Sequence, residues 1–173
     1  MTNQLIEEIY TPMKEFTLYA ISNYGNIVHM KENRMLYLST KKLGYKQVIL
    51  YKRHDERSTH QVHRLVAMNF IDNPKNMKIV DHIDNNPENN REDNLRWCSS
   101  AQNSYNTKIP KTNTSGVKGV SQNKNKTKWL AQIKFEGKSI HIGSFKTIQE
   151  ATEARQKKAN ELFGEFANSC EKT

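Results

Sequence analysis

Four side chains carry spacing that suits hydrolytic chemistry: Asp81 and His82 are adjacent, Asn94 follows twelve residues after His82, and Asn103 nine residues after that. A carboxylate and an amide oxygen are hard ligands that suit Mg2+ or Mn2+, with phosphate oxygens and water filling the remaining positions. An imidazole beside them can take a proton from an attacking water at neutral pH, which a carboxylate of ordinary pKa does less well. The division of labour expected is a single divalent ion on Asp81 and Asn103 for charge and leaving group, His82 for the nucleophile, and Asn94 for orienting the imidazole or fixing the loop. The plainer alternative is that Asp81, Asn94 and Asn103 cap turns and a helix, as Asp and Asn commonly do.

For these groups to meet, two strands and a helix must fold together. Ile79-Val80-Asp81-His82 and Leu95-Arg96-Trp97-Cys98 read as strands separated by an Asn-rich loop, and Ser99 and Ser100 are candidate N-caps of a helix that includes Asn103. Two competing chemistries fit poorly. An EF-hand starting at Asp81 would place Ile83 and Asn86 where a ligand and a glycine are required. A nucleophilic triad on Ser99 or Cys98 lacks a Gly-rich elbow, although a tertiary arrangement stays open.

Upstream, Leu18 to Ile21, Ile27 to Met30, Met35 to Leu38 and Lys46 to Tyr51 are short β-type runs punctuated by Asn23, Gly25 and Gly44, predicting a small antiparallel sheet. From Gln61, Val62, Leu65, Val66 and Phe70 fall at helical spacing, with Pro74 beyond an end at Asp72 and Asn73. Downstream, Thr107 to Gly116 has linker composition. The last third predicts strands over Gly119 to Gln122, Trp129 to Phe135 and Lys138 to Ile142, the latter two joined by a Glu136-Gly137 turn. A helix follows, with a capping box at Thr147 and Glu150, an apolar stripe of Ala151, Ala154, Leu162 and Phe163, and a stop at Gly164.

Charge adds a partner. Of the 27 Lys and Arg and 18 Asp and Glu in 173 residues, residues 105 to 173 hold 13 and 6. The positive excess therefore sits in the last third, where clustered cations favour a polyanion such as nucleic acid through counterion release. In the Trp129 strand, Trp129, Ala131, Ile133 and Phe135 share one face and Leu130, Gln132 and Lys134 the other; Ile140 and Ile142 continue the inner face, Ser139 and His141 the outer. Such a sheet can lie in the major groove, with Gln132 pairing to adenine, Lys134 to guanine or phosphate, and Lys118, Asn123, Lys126 and Lys128 meeting backbone and groove edges. Solvated surface charge is the alternative. Leu, Ile, Val and Phe total 36 residues, which argues for thin cores. Two cysteines exclude a disulfide framework, and no apolar stretch is long enough for a membrane span, so a soluble protein of a reducing compartment is expected.

Three resemblances follow from these residues. Gln61-Val62-His63-Arg64-Leu65-Val66-Ala67, Val80-Asp81-His82, Asn89-Asn90, Asn94-Leu95-Arg96-Trp97 and Asn103 resemble phage-encoded HNH homing endonucleases. That resemblance implies a ββα-metal fold, Asp81 and Asn103 on one metal ion, His82 as general base, Asn94 as the middle Asn, and cleavage of duplex DNA or nicking of one strand. It also implies an intracellular setting, the cytoplasm of a phage-infected bacterial host. His63 lies in a matching stretch, either packing beside the hairpin or acting directly, while His29, His54 and His60 are given no role. Tyr19 to Ile27 is similar to the NUMOD-type motif that precedes HNH modules; Lys31, Arg34, Lys41, Lys42 and Lys46 near it either grip DNA or solvate a sheet edge. Gly116 to Val120, Lys128 to Lys134 and Ile142 to Phe145 resemble an APETALA-type, ethylene-response-factor DNA-binding domain, which implies contacts from Lys118, Ser121, Asn123, Gln132, Lys134, Ser139 and His141.

The expectation is a modular, elongated α+β protein: an N-terminal β region over 1–60, an HNH module over 61–108, a linker over 109–115 and a DNA-binding domain over 116–173. It should act as a monomer on double-stranded DNA with no membrane and no small-molecule cofactor. A non-catalytic DNA-binding regulator with a degenerate HNH scaffold, and an RNA-binding protein, are the rivals.

Overall fold

A computed structural model describes residues 7–52 and 56–171; His54 lies outside them. The protein is α+β, built from small antiparallel sheets and few helices, and its contacts divide it into two compact units, Met1–Ser99 and Ser100–Thr173.

Among its described residues the first unit holds two sheets, one α-helix, a hairpin and a short 3-10 turn at Glu92–Asn94. Strands β1 (Tyr10–Pro12), β2 (Tyr19–Ser22), β3 (Ile27–His29) and β4 (Arg34–Met35) form one antiparallel sheet in chain order; β5 (Ser39–Thr40), β6 (Lys46–Tyr51) and β7 (Arg57–Gln61) form another. The single small sheet expected from the sequence is thus two. β1, β5 and β7 escaped the sequence reading because they are short or polar and take their hydrogen bonds from neighbours, as in the register Val48↔His60 and Ile49↔Thr59. Helix α1 (Val62–Phe70) follows β7 directly, and hairpin strands β8 (Ile79–His82) and β9 (Leu95–Cys98) complete the unit.

One core joins these pieces. Ile21, Ile27, Val48, Leu50, Val62, Val66 and Ala67 are sealed from solvent, with Leu65, Val80 and Leu95 packed among them. It runs through both the expected 1–60 region and the start of 61–108. Gly25 shows why helix and sheet come so close: it has φ +89°, and a Cβ there would lie 2.9 Å from Val62 Cγ1 and 3.1 Å from the Asn90 Cβ. Only glycine satisfies both the turn and the approach.

The second unit begins with α2 (Ser100–Tyr105) and continues into strands β10 (Val120–Gln122), β11 (Trp129–Phe135) and β12 (Lys138–Phe145), ordered antiparallel in the chain, and helix α3 (Ile148–Phe163). Glu136 and Gly137, both at positive φ, make the tight β11–β12 turn. The expected capping box is formed: Thr147 Oγ1 accepts from Glu150 N at 3.2 Å and Glu150 Oε2 accepts from Thr147 N at 3.2 Å. Ala131 and Ile133 are buried under Ala151, Ala159 and Phe163, while Gln132 and Lys134 on alternate positions are exposed. Arg155, unremarked in the apolar stripe, is buried too, with Nη2 2.6 Å from Glu171 Oε1, so an ion pair ties α3 to the residues that follow it.

Candidate active site

In the β8–β9 hairpin Asp81 pairs with Arg96 and His82 with Leu95. The register puts Asp81 and Arg96 side by side, and Arg96 donates from Nε and Nη2 to Asp81 Oδ2 at 3.0 and 2.7 Å. Both side chains are largely enclosed, Asp81 at 6% and Arg96 at 11% exposure. The arginine compensates a carboxylate that burial would otherwise make costly.

The loop between the strands is fastened by Asn94. Its Nδ2 donates to Asp84 Oδ1 and to the Asn89 carbonyl, both at 2.9 Å, and its Oδ1 accepts from Asp84 N at 3.1 Å. Of the two roles expected for Asn94, these bonds describe loop fixing. Burial pushes the Asp84 carboxyl up, but bonds from Asn89, the Asn86 backbone and Asn94 outweigh it and hold the group below its ordinary range.

His82 is 6% exposed and enclosed by groups from three segments. Its Nε2 lies 3.3 Å from Asn90 Oδ1; its ring centroid is 4.9 Å from that of His63 on α1 and 5.9 Å from that of Tyr45 just before β6. Burial lowers the His82 pKa, and the opposing influence of Asn90, Asp84 and Asp81 does not reverse it, so the ring is neutral at physiological pH. A neutral imidazole is the state a general base requires. In the sequence Asn90 enters only within the Asn89-Asn90 pair of the resemblance, with no role given to it, and Tyr45 is not singled out. An Asn in an Asn-rich loop gives no signal of its contact, and Tyr45 is too distant in the chain to be paired with His82.

His63 is the most strongly perturbed histidine described. Burial first, then His82 and Arg64, push it down to about 3, and its Nδ1 is sealed without a hydrogen-bond partner. The sign of its effect on stability follows. Above pH 6.5 the imidazole is neutral folded and unfolded; below 6.5 the unfolded chain binds a proton that the folded protein refuses until about pH 3. Stability therefore falls with pH through that window, by up to about 1.4 kcal/mol per unit. His63→Phe should remove this slope, losing about 2 kcal/mol less than wild type between pH 7.5 and 5 in urea denaturation. Equal losses in the two proteins would show a solvated ring.

Asn103 lies on α2, exposed, in the second unit. That short helix is anchored within its own unit: the Tyr105 ring stacks on Phe163 at 4.1 Å, Lys118 Nζ donates to the Tyr105 and Thr107 carbonyls at 2.7 and 2.8 Å, and Asn168 Nδ2 donates to the Asn106 carbonyl at 2.7 Å. Lys118, expected on DNA, is turned inward to these carbonyls and to Glu171 at 3.6 Å; burial lowers its pKa. It does structural work here, because its ammonium satisfies carbonyls at the end of α2. Ser121, Lys128, Gln132, Lys134, Ser139 and His141 are exposed, and Asn123 is half-buried, its Oδ1 accepting from Thr127 N and Lys128 N at 2.8 and 3.1 Å. The register sets Gln132 opposite His141 and Lys134 opposite Ser139.

The Asp81 carboxylate on β8 and the Asn103 amide on α2, one in each unit, are each of the oxygen-donor type that a hard divalent cation takes. Among the described residues no group of three His, Cys, Asp or Glu is gathered for a metal, and the expected site asks for only one of these types. Cys98 is a poor nucleophile, because burial pushes its thiol up to about 11.

Comparison with known proteins accords with this arrangement. The family model described as HNH endonuclease matches residues 60–105 and the NUMOD4 motif matches residues 8–51. Protein 3.8 of Escherichia phage T7 is 41% identical over 88 residues, 51% of this chain and 72% of that protein. The DNA endonuclease I-HmuI of Bacillus phage SP01 is 35% identical over 108 residues, 62% of each chain. An uncharacterized HNH endonuclease of Acanthamoeba polyphaga mimivirus, L245, is 31% identical over 160 residues, 91% of this chain and 48% of the relative. A solved structure on DNA binding and cleavage by the HNH homing endonuclease I-HmuI superposes with a TM-score of 0.51 at 27% identity, covering 91% of both chains. With the Asp81-His82 hairpin, its Asn-fastened loop and these matches in agreement, the chain belongs to the HNH endonuclease family, a NUMOD4 motif preceding its HNH segment.

Proposed function

We propose that this protein is a site-specific DNA endonuclease of the homing type that hydrolyses phosphodiester bonds of duplex DNA, cutting or nicking one strand, with one Mg2+ or Mn2+ held by Asp81 and Asn103. The single observation that carries the reading is the His82 imidazole enclosed at the end of β8 against Asn90, His63 and Tyr45, one residue after Asp81 in the hairpin. A divalent ion bound there would stabilise charge on the phosphate and the leaving oxygen. His82 takes the proton from the attacking water, Asp81 and Asn103 supply oxygens, and Asn94 keeps the loop closed against the hairpin. That one chain is expected to act as a monomer, since its modules are unlike.

The polar face of the β10–β12 sheet supplies the DNA reading. Exposed Ser121, Lys128, Gln132, Lys134, Ser139 and His141, with Asn123 at its edge, support an APETALA-type mode in the major groove; Lys118 is left out, its ammonium being spent on carbonyls. Basic Lys31, Arg34, Lys41, Lys42 and Lys46 of the first unit add phosphate contacts.

One observation favours the rival, a DNA-binding regulator on a retained HNH scaffold: Asp81 is already paired with Arg96. Incubating supercoiled plasmids carrying fragments of the surrounding genome with the protein and Mg2+ or Mn2+ separates the two. Nicked or linear products, lost on adding excess chelator, are expected. Retarded bands on DNA with no cut in either metal would leave the regulator.

A further inference from the structure

We infer that the first unit carries, between its two sheets, a cleft for an unpaired nucleotide of single-stranded DNA, in which Tyr37 and Tyr51 offer ring faces to the base and the surrounding cations hold the phosphates. The inference goes beyond the cleavage reading and stands without it.

The cleft follows from how the two sheets are joined. β4 ends one sheet and β5 opens the other, so the chain crosses between them over 36–38. Leu36 and Leu38 both pack against the core, and Leu36 N donates to the Ile27 carbonyl at 2.8 Å, which turns the residue between them outward. That residue is Tyr37. It is 86% exposed, and among the described residues no hydrogen bond or ring contact engages its side chain. Alternation along β6 does the same: Val48 and Leu50 are sealed, while Ile49 and Tyr51 face out. Tyr37, Ile49 and Tyr51 line one cleft of about 410 Å³, with His29 and Arg34 also in its wall.

Single exposed apolar side chains are ordinary on a protein surface, but two tyrosines and an isoleucine on one concave surface form a binding feature. Their surroundings select the ligand. Residues 31–52 hold six Lys and Arg against one acidic side chain, Glu32. Arg34 lies 3.1 Å from Glu32 with both side chains exposed, so a phosphate replaces that carboxylate at little cost. Lys46 Nζ spends one of its three hydrogens on Thr40 Oγ1, at 2.9 Å. A second copy of this basic surface would be repelled, whereas a polyanion gains from it through counterion release.

The rings decide the form of that polyanion. In a duplex the base faces are stacked on one another and only edges reach a protein; in a single strand the faces are free, and aromatic side chains take them. A volume of about 410 Å³ falls in the range of small-ligand pockets, so it takes one nucleotide and excludes a duplex. Tyrosine loses little entropy on stacking, having two side-chain torsions to fix.

The test uses the full-length protein and a fluorescently labelled oligodeoxythymidylate of about a dozen nucleotides, with anisotropy read at low salt. Wild type should bind it. Tyr37→Ala should weaken binding by about 5- to 100-fold, and Tyr37→Phe should leave it unchanged because the ring is kept. Binding of a duplex of equal length should be the same in all three proteins. With bromodeoxyuridine in place of thymidine, irradiation should link the strand to the peptide that carries Tyr37 or Tyr51. Oligonucleotide binding unaltered in Tyr37→Ala would overturn the inference, as would a strand crosslinked only within 116–173, a duplex that loses affinity by the same factor, or tighter binding of the matching RNA strand. Tyr37 is too exposed for its replacement to disturb the core, and no readout requires cleavage. A protein that binds the oligonucleotide through Tyr37 and cuts no DNA would therefore remove the nuclease reading and leave the cleft standing.

Discussion

His82→Ala is expected to lower the rate of DNA cleavage by about 10²–10⁴-fold, the range in which a positioned general base contributes. The reason lies in the geometry: a neutral imidazole held between Asn90, His63 and Tyr45 has lost the rotational freedom that a base in solution would have. Retardation of target DNA by the variant should match wild type, since none of the exposed sheet residues is touched. Truncation also leaves a cavity beside His63 and Tyr45, so the thermal midpoint should be measured in parallel; a drop in kcat far beyond any loss of folded protein is the result that identifies chemistry. Cleavage by His82→Ala at the wild-type rate would remove this residue from the mechanism.

Asp81→Ala should have the other large effect, abolishing the stimulation by Mg2+ or Mn2+ and lowering the rate by about 10²–10⁴-fold, as several kcal/mol of charge stabilisation are lost. This substitution has a second consequence, because Asp81 Oδ2 takes both bonds from Arg96, which is only 11% exposed. Removing one partner of a buried pair strands the other and costs about 3–5 kcal/mol. The double variant Asp81→Ala with Arg96→Leu separates the two roles. It should recover most of the lost stability in urea denaturation, since apolar replacement of a whole buried pair is often neutral, and recover none of the cleavage. A double variant that cuts as wild type does would make Asp81 a structural partner of Arg96 and nothing more.

Asp81 is bound into the fold by Arg96, whatever part it takes in the proposed site. Arg96 is drawn to Asp81 by strand register, and Asn94, three bonds deep in the loop, holds the strands' connection in place. The end of the hairpin that carries Asp81 and His82 therefore rests on Arg96 and Asn94. Their loss would be felt as misplacement of His82 and Asp81, to which reaction rates are steeply sensitive.

Local signals were enough to place Ile79–His82, Leu95–Cys98, the helix after Gln61, the Trp129–Phe135 strand with its inner and outer faces, and the Thr147–Glu150 cap. Each is legible because period, capping and turn chemistry act over a few residues. Short polar strands such as Arg57–Gln61 were not, since their pairing with Lys46–Tyr51 supplies what their own residues lack.

What the sequence by itself determined is the chemical inventory and its strand-end location: Asp81, His82 and Asn94 on one hairpin, Asn103 on the next helix, and a polar sheet face carrying Gln132 and Lys134. Only the tertiary structure decided which groups surround that inventory. Asn90 meets His82 rather than solvent, His63 loses its ability to charge, Arg96 neutralises Asp81, and Lys118 turns from DNA to the carbonyls of α2. The physical reason is that desolvation and hydrogen-bond partnership depend on what packs from distant segments, and no periodicity in the chain records the neighbours a side chain will acquire.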